Sequence, residues 1–201
     1  MRCKMAEPNA LPVILASKSP RRSELLTRMG VDFVVAPADV DESVDAALTP
    51  AEAVAEISAR KAQAVCAAAQ TGQIVIACDT GVVLDGKIFG KPTDRADAAA
   101  MLRALSGRTH EVFSGLTVCT ATHTETVCER TAVKFRELDD REIEAYLQTG
   151  EPFDKAGAYG IQGVGALLIS AIDGDYYNVM GLPVCRLLAL LRVFGMQVFG
   201  I

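Results

Sequence analysis

Tryptophan is absent and aromatic residues make up only 5% of the 201 residues, whereas alanine, valine, leucine and isoleucine are abundant. A core poor in rings and rich in small aliphatic side chains suits helices packed closely on a sheet. An excess of positive charge is missing too: 20 lysines and arginines stand against 25 aspartates and glutamates, a net charge of −5. That excludes the broad basic face of a general nucleic-acid binder. It leaves room for an anionic small molecule, which needs only a local cluster of cations. The six cysteines form no CxxC pair and no zinc-type spacing with the two histidines, so they read as reduced packing thiols of a cytosolic protein. No apolar stretch approaches the ~18 residues of a membrane span. Residues 1–10 are polar and the apolar run 11–16 is too short for a secretion signal, so the expectation is a cytoplasmic protein.

Several familiar motifs are also missing. There is no G-x-x-x-x-G-K-[ST], which removes a P-loop nucleotidase. Gly160, Gly163 and Gly165 have the spacing of a dinucleotide fingerprint in reverse. No G-x-S-x-G elbow surrounds Ser114, and His110 and His123 lie in or beside a long hairpin where they look structural. A serine hydrolase therefore has little support.

What is present alternates between helix and strand. A short apolar strand at 13–17 leads into Ser19-Pro20, an N-cap followed by a first-position proline, and a helix over 20–29 with Gly30 behind it. A strand at 31–35 precedes an acidic loop, 37–48, carrying Asp39, Asp41, Glu42 and Asp45. Thr49-Pro-Ala-Glu52 is a capping box that opens a helix to about residue 69. The buried-type strand 73–78 ends on Asp79, and Asp85-Gly86 is a strong hairpin turn between 81–84 and 87–89. A helix over 94–105, long strands at 109–120 and 125–135, and a helix from Asp139 to about 148 follow. Beyond a glycine-rich irregular stretch, 154–165, the pattern predicts strands at 166–172 and 176–180 and a last helix from Pro183. The fold class is α/β with a mixed sheet.

Three clusters carry potential chemistry. A helix N-terminus attracts anions, and Arg21 and Arg22 in the first turn, flanked by Ser17 and Ser19, resemble a polyphosphate clamp as readily as a solvated turn with incidental arginines. Asp79, followed by Thr80 at a strand end, stands where open α/β sheets place ligands, as a base, a metal ligand or a mere turn former. Asp41 or Glu42 with Asp79 would suffice for one Mg²⁺ bound through substrate phosphates, although taken alone the two loop acids read more simply as a solvated acidic loop. Lys61, Lys91 and Lys155 fall near predicted element ends or loops.

In one order and without large gaps, the chain reads Leu15-Ala-Ser17-Lys-Ser19-Pro-Arg21-Arg22, Asp41-Glu42, Ala59-Arg60-Lys61-Ala62, Cys78-Asp79-Thr80, Gly90-Lys91-Pro92, Leu105-Ser-Gly107, Asp154-Lys155-Ala-Gly-Ala-Tyr159-Gly-Ile-Gln162-Gly163 and Asn178-Val-Met-Gly-Leu-Pro183. This series resembles the Maf family of nucleoside triphosphate pyrophosphatases, over residues 11 to about 194. The 154–163 segment resembles the branch acting on dTTP and UTP and lacks the look of the 7-methyl-GTP branch. The resemblance implies a Maf/ITPase-like twisted mixed sheet flanked by helices, with two lobes around a deep central cleft. It also implies one domain over residues 11–195 behind a short polar extension, 1–10.

For function, it implies hydrolysis of dTTP, UTP or modified pyrimidine nucleotides to monophosphate and pyrophosphate, a house-cleaning of nucleotide pools. Mg²⁺ or Mn²⁺ would assist, held by Asp41, Glu42 and Asp79. Asp79 would be the proton acceptor, with Lys61 and Lys91 important to activity. Ser17, Ser19, Arg21, Arg22, Thr80, Lys155 and Gln162 would bind substrate, with Arg21, Thr80 and Gln162 bearing on base choice. A homodimer is compatible with the family; nucleic acid and membrane are not expected as partners. The alternatives are a nucleotide sensor of cell division without turnover and a 7-methyl-GTP pyrophosphatase. One departure is Cys78 where the family usually has alanine, which raises the expectation of an oxidant-sensitive thiol beside Asp79.

Overall fold

The computed structural model describes residues 12–198; the expected extension 1–10 and Leu11 lie outside them. Seven strands form one mixed sheet in the order β2-β1-β3-β5-β6-β7, with β4 attached to β3. The strands are β1 (Val13–Leu15), β2 (Phe33–Val35), β3 (Val75–Leu84), β4 (Lys87–Phe89), β5 (Thr109–Cys119), β6 (Thr124–Phe135) and β7 (Ile169–Asp173). The helices are α1 (Pro20–Arg28), α2 (Pro50–Cys66), α3 (Arg95–Leu105), α4 (Asp140–Gln148), α5 (Tyr176–Met180) and α6 (Val184–Val193). β1 runs parallel to β2 and β3, and every other pairing is antiparallel.

Local chemistry accounts for most boundaries. At Thr49 and at Asp139 both halves of a capping box form, satisfying amides that a helix start leaves unpaired. Asp85 and Gly86 both take positive φ, 52° and 77°, the backbone of the tight hairpin turn whose twist matches its strands. Ser19 occupies the cap position of α1, but its side chain makes no capping bond; its own amide donates to Ser17 Oγ instead.

The structure departs from the sequence expectation at three places. Residues 176–180 form α5 and not a strand, because Asp175 Oδ1 caps the Tyr177 amide at 2.8 Å and Gly181, at φ 108°, closes the turn. Two tyrosines favour a strand, but a cap at each end decides the matter. Residues 163–168 wind as a 3₁₀ helix, so β7 starts only at Ile169. Asp79 does not end its strand: β3 continues through it to Leu84.

The period-two alternation along β3 sorts the core. Val75 and Ala77 pack with Ile14, Ala16 and Ala62 under α2. On the opposite face, Ile76 and Cys78 join a cluster built by α1 and α6, while Val82 and Leu84 join a second cluster under α3 and α4. Thr80 falls between those two clusters. Among the described residues no helix is long and apolar enough to cross a membrane.

Candidate active site

The site begins as a gap in the sheet. On one edge, β3 pairs with β1 only as far as Ile76 and with β4 only from Val82 onward. Between them its opposite edge still pairs with β5, but the near edge faces no strand. A cleft of about 930 Å³ opens there. It is bounded by the start of α1, the acidic loop, α2, the end of β4, the 154–162 segment and the turn after α5.

Asp79 lies at the floor of that gap, on the α2 face. Its register partner on β5 is Gly115, and α2 passes so close that a Cβ at Gly115 would come within 2.2 Å of the Val54 carbonyl oxygen. This close approach brings Lys61, three turns into α2, to Asp79: Nζ donates to Oδ1 at 2.7 Å. The same ammonium lies 2.8 Å from Glu42 Oε1. Lys61 is 12% exposed and Asp79 17%, so the pair is sheltered yet reachable from the cleft.

On the other face a hydrogen-bonded chain surrounds Thr80. Arg22 donates from Nε to the Gly181 carbonyl at 2.8 Å, from one terminal nitrogen to Ser17 Oγ at 2.9 Å, and from the other to Thr80 Oγ1 at 3.2 Å. Thr80 Oγ1 and the buried Ser114 Oγ lie 2.8 Å apart, and Ser114 Oγ donates to the Asn178 carbonyl. Arg22 therefore braces the N-terminal signature against β3 and the turn after α5 while also lining the cleft. Cys78 is buried beside this chain and donates to the Gly181 carbonyl at 3.2 Å. Burial pushes its thiol pKa up, which argues against a reactive thiolate next to Asp79.

Arg21 reaches across the cleft to Asp154 Oδ2 at 2.9 Å, and Lys155 Nζ binds the other oxygen of that carboxylate at 2.6 Å. Burial opposes ionisation of Asp154, but the hydrogen bonds from Lys155 and Arg21 outweigh it and hold its pKa below the usual carboxylate value. Glu151 ties down the following segment by accepting from Tyr146 Oη and from the amides of Val164 and Gly165. Gln162, half-buried, lines the cleft from this segment, as do Lys91 and Ser19 from theirs.

Of the expected site residues, Asp41 alone is turned aside. Its carboxylate accepts from the Ser43 amide and hydroxyl at 2.8 and 2.7 Å, bonds that lower its pKa. Asp39 lines the cleft in its place, with Glu42. Lys18 also lines it, inside the signature but overlooked as a separate candidate, and makes no ion pair among the described residues. The cleft thus gathers six cations (Lys18, Arg21, Arg22, Lys61, Lys91 and Lys155) against four carboxylates (Asp39, Glu42, Asp79 and Asp154). In a chain of net charge −5, this local excess marks an anion site.

The donor set also bears on a metal ion. Among the described residues no three carboxylate, histidine or cysteine side chains cluster tightly enough to cage one. Two carboxylates, Asp79 and Glu42, converge on one ammonium, and hard oxygen donors in that number fit a Mg²⁺-like ion that is shared with phosphate.

Residues 12–194 match the family model described as Maf-like protein. The dTTP/UTP pyrophosphatase of Moorella thermoacetica is 52% identical, covering 94% of this chain and 97% of its own length. That of Symbiobacterium thermophilum is 50% identical over 93% of this chain and 96% of its own. Among solved structures, the Staphylococcus aureus Ham1 protein superimposes with a TM-score of 0.56 at 16% identity, covering 91% of this chain and 99% of its own. A HAM1 protein from Coxiella burnetii gives 0.54 at 14%, covering 92% and 100%. These last two likenesses concern the fold.

Proposed function

The chain belongs to the Maf-like protein family, and from that premise we propose that it hydrolyses dTTP and UTP, with modified pyrimidine nucleotides in the same class, to the monophosphate and pyrophosphate. It is a nucleoside triphosphate pyrophosphatase whose work is to clear nucleotide pools in the cytoplasm. The observation that carries the reading is the Lys61–Asp79 pair, 2.7 Å apart, at the floor of a cation-rich cleft. The names of relatives near 50% identity support the substrate class.

Attack of water on the α-phosphorus needs positioning and charge neutralisation more than covalent chemistry. Asp79 orients the water and takes its proton. Lys61 holds Oδ1 of that carboxylate, leaving the second oxygen for the water. Arg21, Lys155, Lys91 and Lys18 receive the triphosphate at the N-terminus of α1, where backbone amides add to the positive field. Arg22 and Ser17 keep that terminus in place. A divalent cation such as Mg²⁺ or Mn²⁺, held by Asp79 and Glu42 together with phosphate oxygens, would neutralise charge that builds on the phosphates. Gln162 offers both a donor and an acceptor to the O4 and N3–H edge of uracil or thymine, and Thr80 stands nearby with its hydroxyl fixed by Arg22 and Ser114.

The test is pyrophosphate release from dTTP, UTP, CTP, GTP and 7-methyl-GTP with Mg²⁺ or Mn²⁺, by wild type and Asp79→Asn. Selective release from dTTP and UTP that disappears in the variant is expected. Turnover of none of them, with binding intact, would point to a nucleotide sensor; preference for 7-methyl-GTP would move the chain to the other branch.

A further inference from the structure

His110 has no part in the chemistry above, yet it is a buried titratable side chain, 1% exposed. Its Nε2 shares a 2.7 Å hydrogen bond with the Tyr159 hydroxyl. Its ring meets those of Phe135 and Tyr159 edge to face, with centroids 5.0 and 5.3 Å away. Its Nδ1 has no hydrogen-bond partner among the described residues. A buried polar atom without a partner is costly, and burial holds the imidazole neutral, with its pKa lowered to about 4. An aliphatic side chain would fill this space without that cost, so the polar contact with Tyr159 is what His110 adds.

Tyr159 stands three residues before Gln162, in a segment with an unfavourable backbone. Ala158 takes φ 57°, a conformation that side chains with a Cβ rarely adopt. Gly157 lies so close to Val82 that a Cβ there would approach its side chain to 2.9 Å. Such a turn persists only where its surroundings hold it. On one side the Gly160 amide donates to Tyr146 Oη at 3.2 Å. On the other, the only side-chain hydrogen bond to Tyr159 among the described residues is the one with His110.

We infer that His110 is a positioning residue for base selection: through Tyr159 it locks the turn that presents Gln162 to the nucleotide base. The inference rests on the reading of Gln162 as the base-recognising side chain. Phosphate binding rests mainly on α1 and on Lys91 beyond β4, outside this turn, so loss of the lock should disturb the choice of base more than the grip on the phosphates.

The experiment measures kcat and KM for dTTP and CTP, with the Ki of inorganic triphosphate, in wild type, Gln162→Ala, Tyr159→Phe, His110→Leu and His110→Gln. Tyr159→Phe keeps the ring packing and removes only the hydroxyl, so it carries the test even where His110→Leu fails to fold. Tyr159→Phe and His110→Leu are expected to lower the dTTP-to-CTP ratio of kcat/KM about fivefold to tenfold, as expected for a misplaced hydrogen bond. The change should fall mainly on KM for dTTP, with the Ki of triphosphate within about twofold of wild type. His110→Gln, whose amide can donate or accept, should restore most of the ratio. An unchanged ratio in Tyr159→Phe while Gln162→Ala loses selectivity overturns the inference and leaves the base reading standing. A uniform fall in kcat for both nucleotides also overturns it, assigning His110 to scaffolding. An unchanged ratio in Gln162→Ala overturns the base reading itself, and the inference with it.

Discussion

Asp79 and Gly115 face one another across the β3–β5 ladder, and the missing side chain of the second lets the helix that serves the first come close. A Cβ at Gly115 would lie 2.2 Å from the Val54 carbonyl oxygen, so Gly115→Ala must push α2 away from the sheet. Overpacking against backbone costs about 1–3 kcal/mol, and even a 1 Å displacement of Lys61 reduces catalysis by roughly 10²-fold. The variant should show a lower urea midpoint and a larger fractional loss in kcat than in stability. Wild-type turnover would mean that the helix's approach does not set the Lys61–Asp79 distance.

Asp79→Asn should retain the fold and lower kcat by about 10²–10⁴, the usual contribution of a general base. Lys61 keeps Glu42 as a partner at 2.8 Å, so its charge does not become unpaired. Steady-state kinetics beside a thermal melt separates the two effects; a variant as active as wild type removes Asp79 from the chemistry.

Asp154 occupies two of the cations assigned to phosphate, Arg21 and Lys155, at 2.9 and 2.6 Å. Asp154→Asn should release both and lower KM for dTTP by about 2–5-fold at low ionic strength, the scale of a partly exposed ion pair. Salt should erase the difference. A raised KM would instead assign the carboxylate to holding those cations in place.

His110 makes stability depend on pH. Burial lowers its folded-state pKa from 6.5 to about 4, so between those values the unfolded chain binds the proton and the folded one does not. Stability from this residue is complete above pH 6.5, declines as pH falls, and is lost below about 4. The span corresponds to roughly 3 kcal/mol. Urea titrations from pH 7 to 4 should show a steeper loss in wild type than in His110→Gln. Parallel curves would mean that the imidazole can be protonated in place.

Cys78 is buried, and its thiol pKa is raised by that burial. Millimolar peroxide should inactivate wild type and Cys78→Ala at the same rate. Protection in the alanine variant would restore the oxidant-sensitive reading suggested by its position beside Asp79.

The helix starts at Thr49, Asp94 and Asp139, the Asp85-Gly86 turn and the glycine behind α1 were all legible in the chain. Each is decided within four residues by a side chain that satisfies a nearby amide or by a backbone that tolerates positive φ. The ordered series of motifs likewise identified the family that the comparisons establish. Tertiary structure decided what those residues face. Arg22 meets Thr80 and Gly181 across 58 and 159 residues of chain, and no local pattern distinguishes it from Arg21 beside it. Asp39 and Asp41 stand two residues apart in one acidic loop; Ser43, two residues along, turns Asp41 aside by a local contact, whereas only the path of the loop places Asp39 in the cleft. The cleft itself exists because β1 and β4 stop short of each other along β3, a matter of strand placement. Propensity and capping act over one helical turn, whereas side-chain partners and open sheet edges depend on which distant segments pack together.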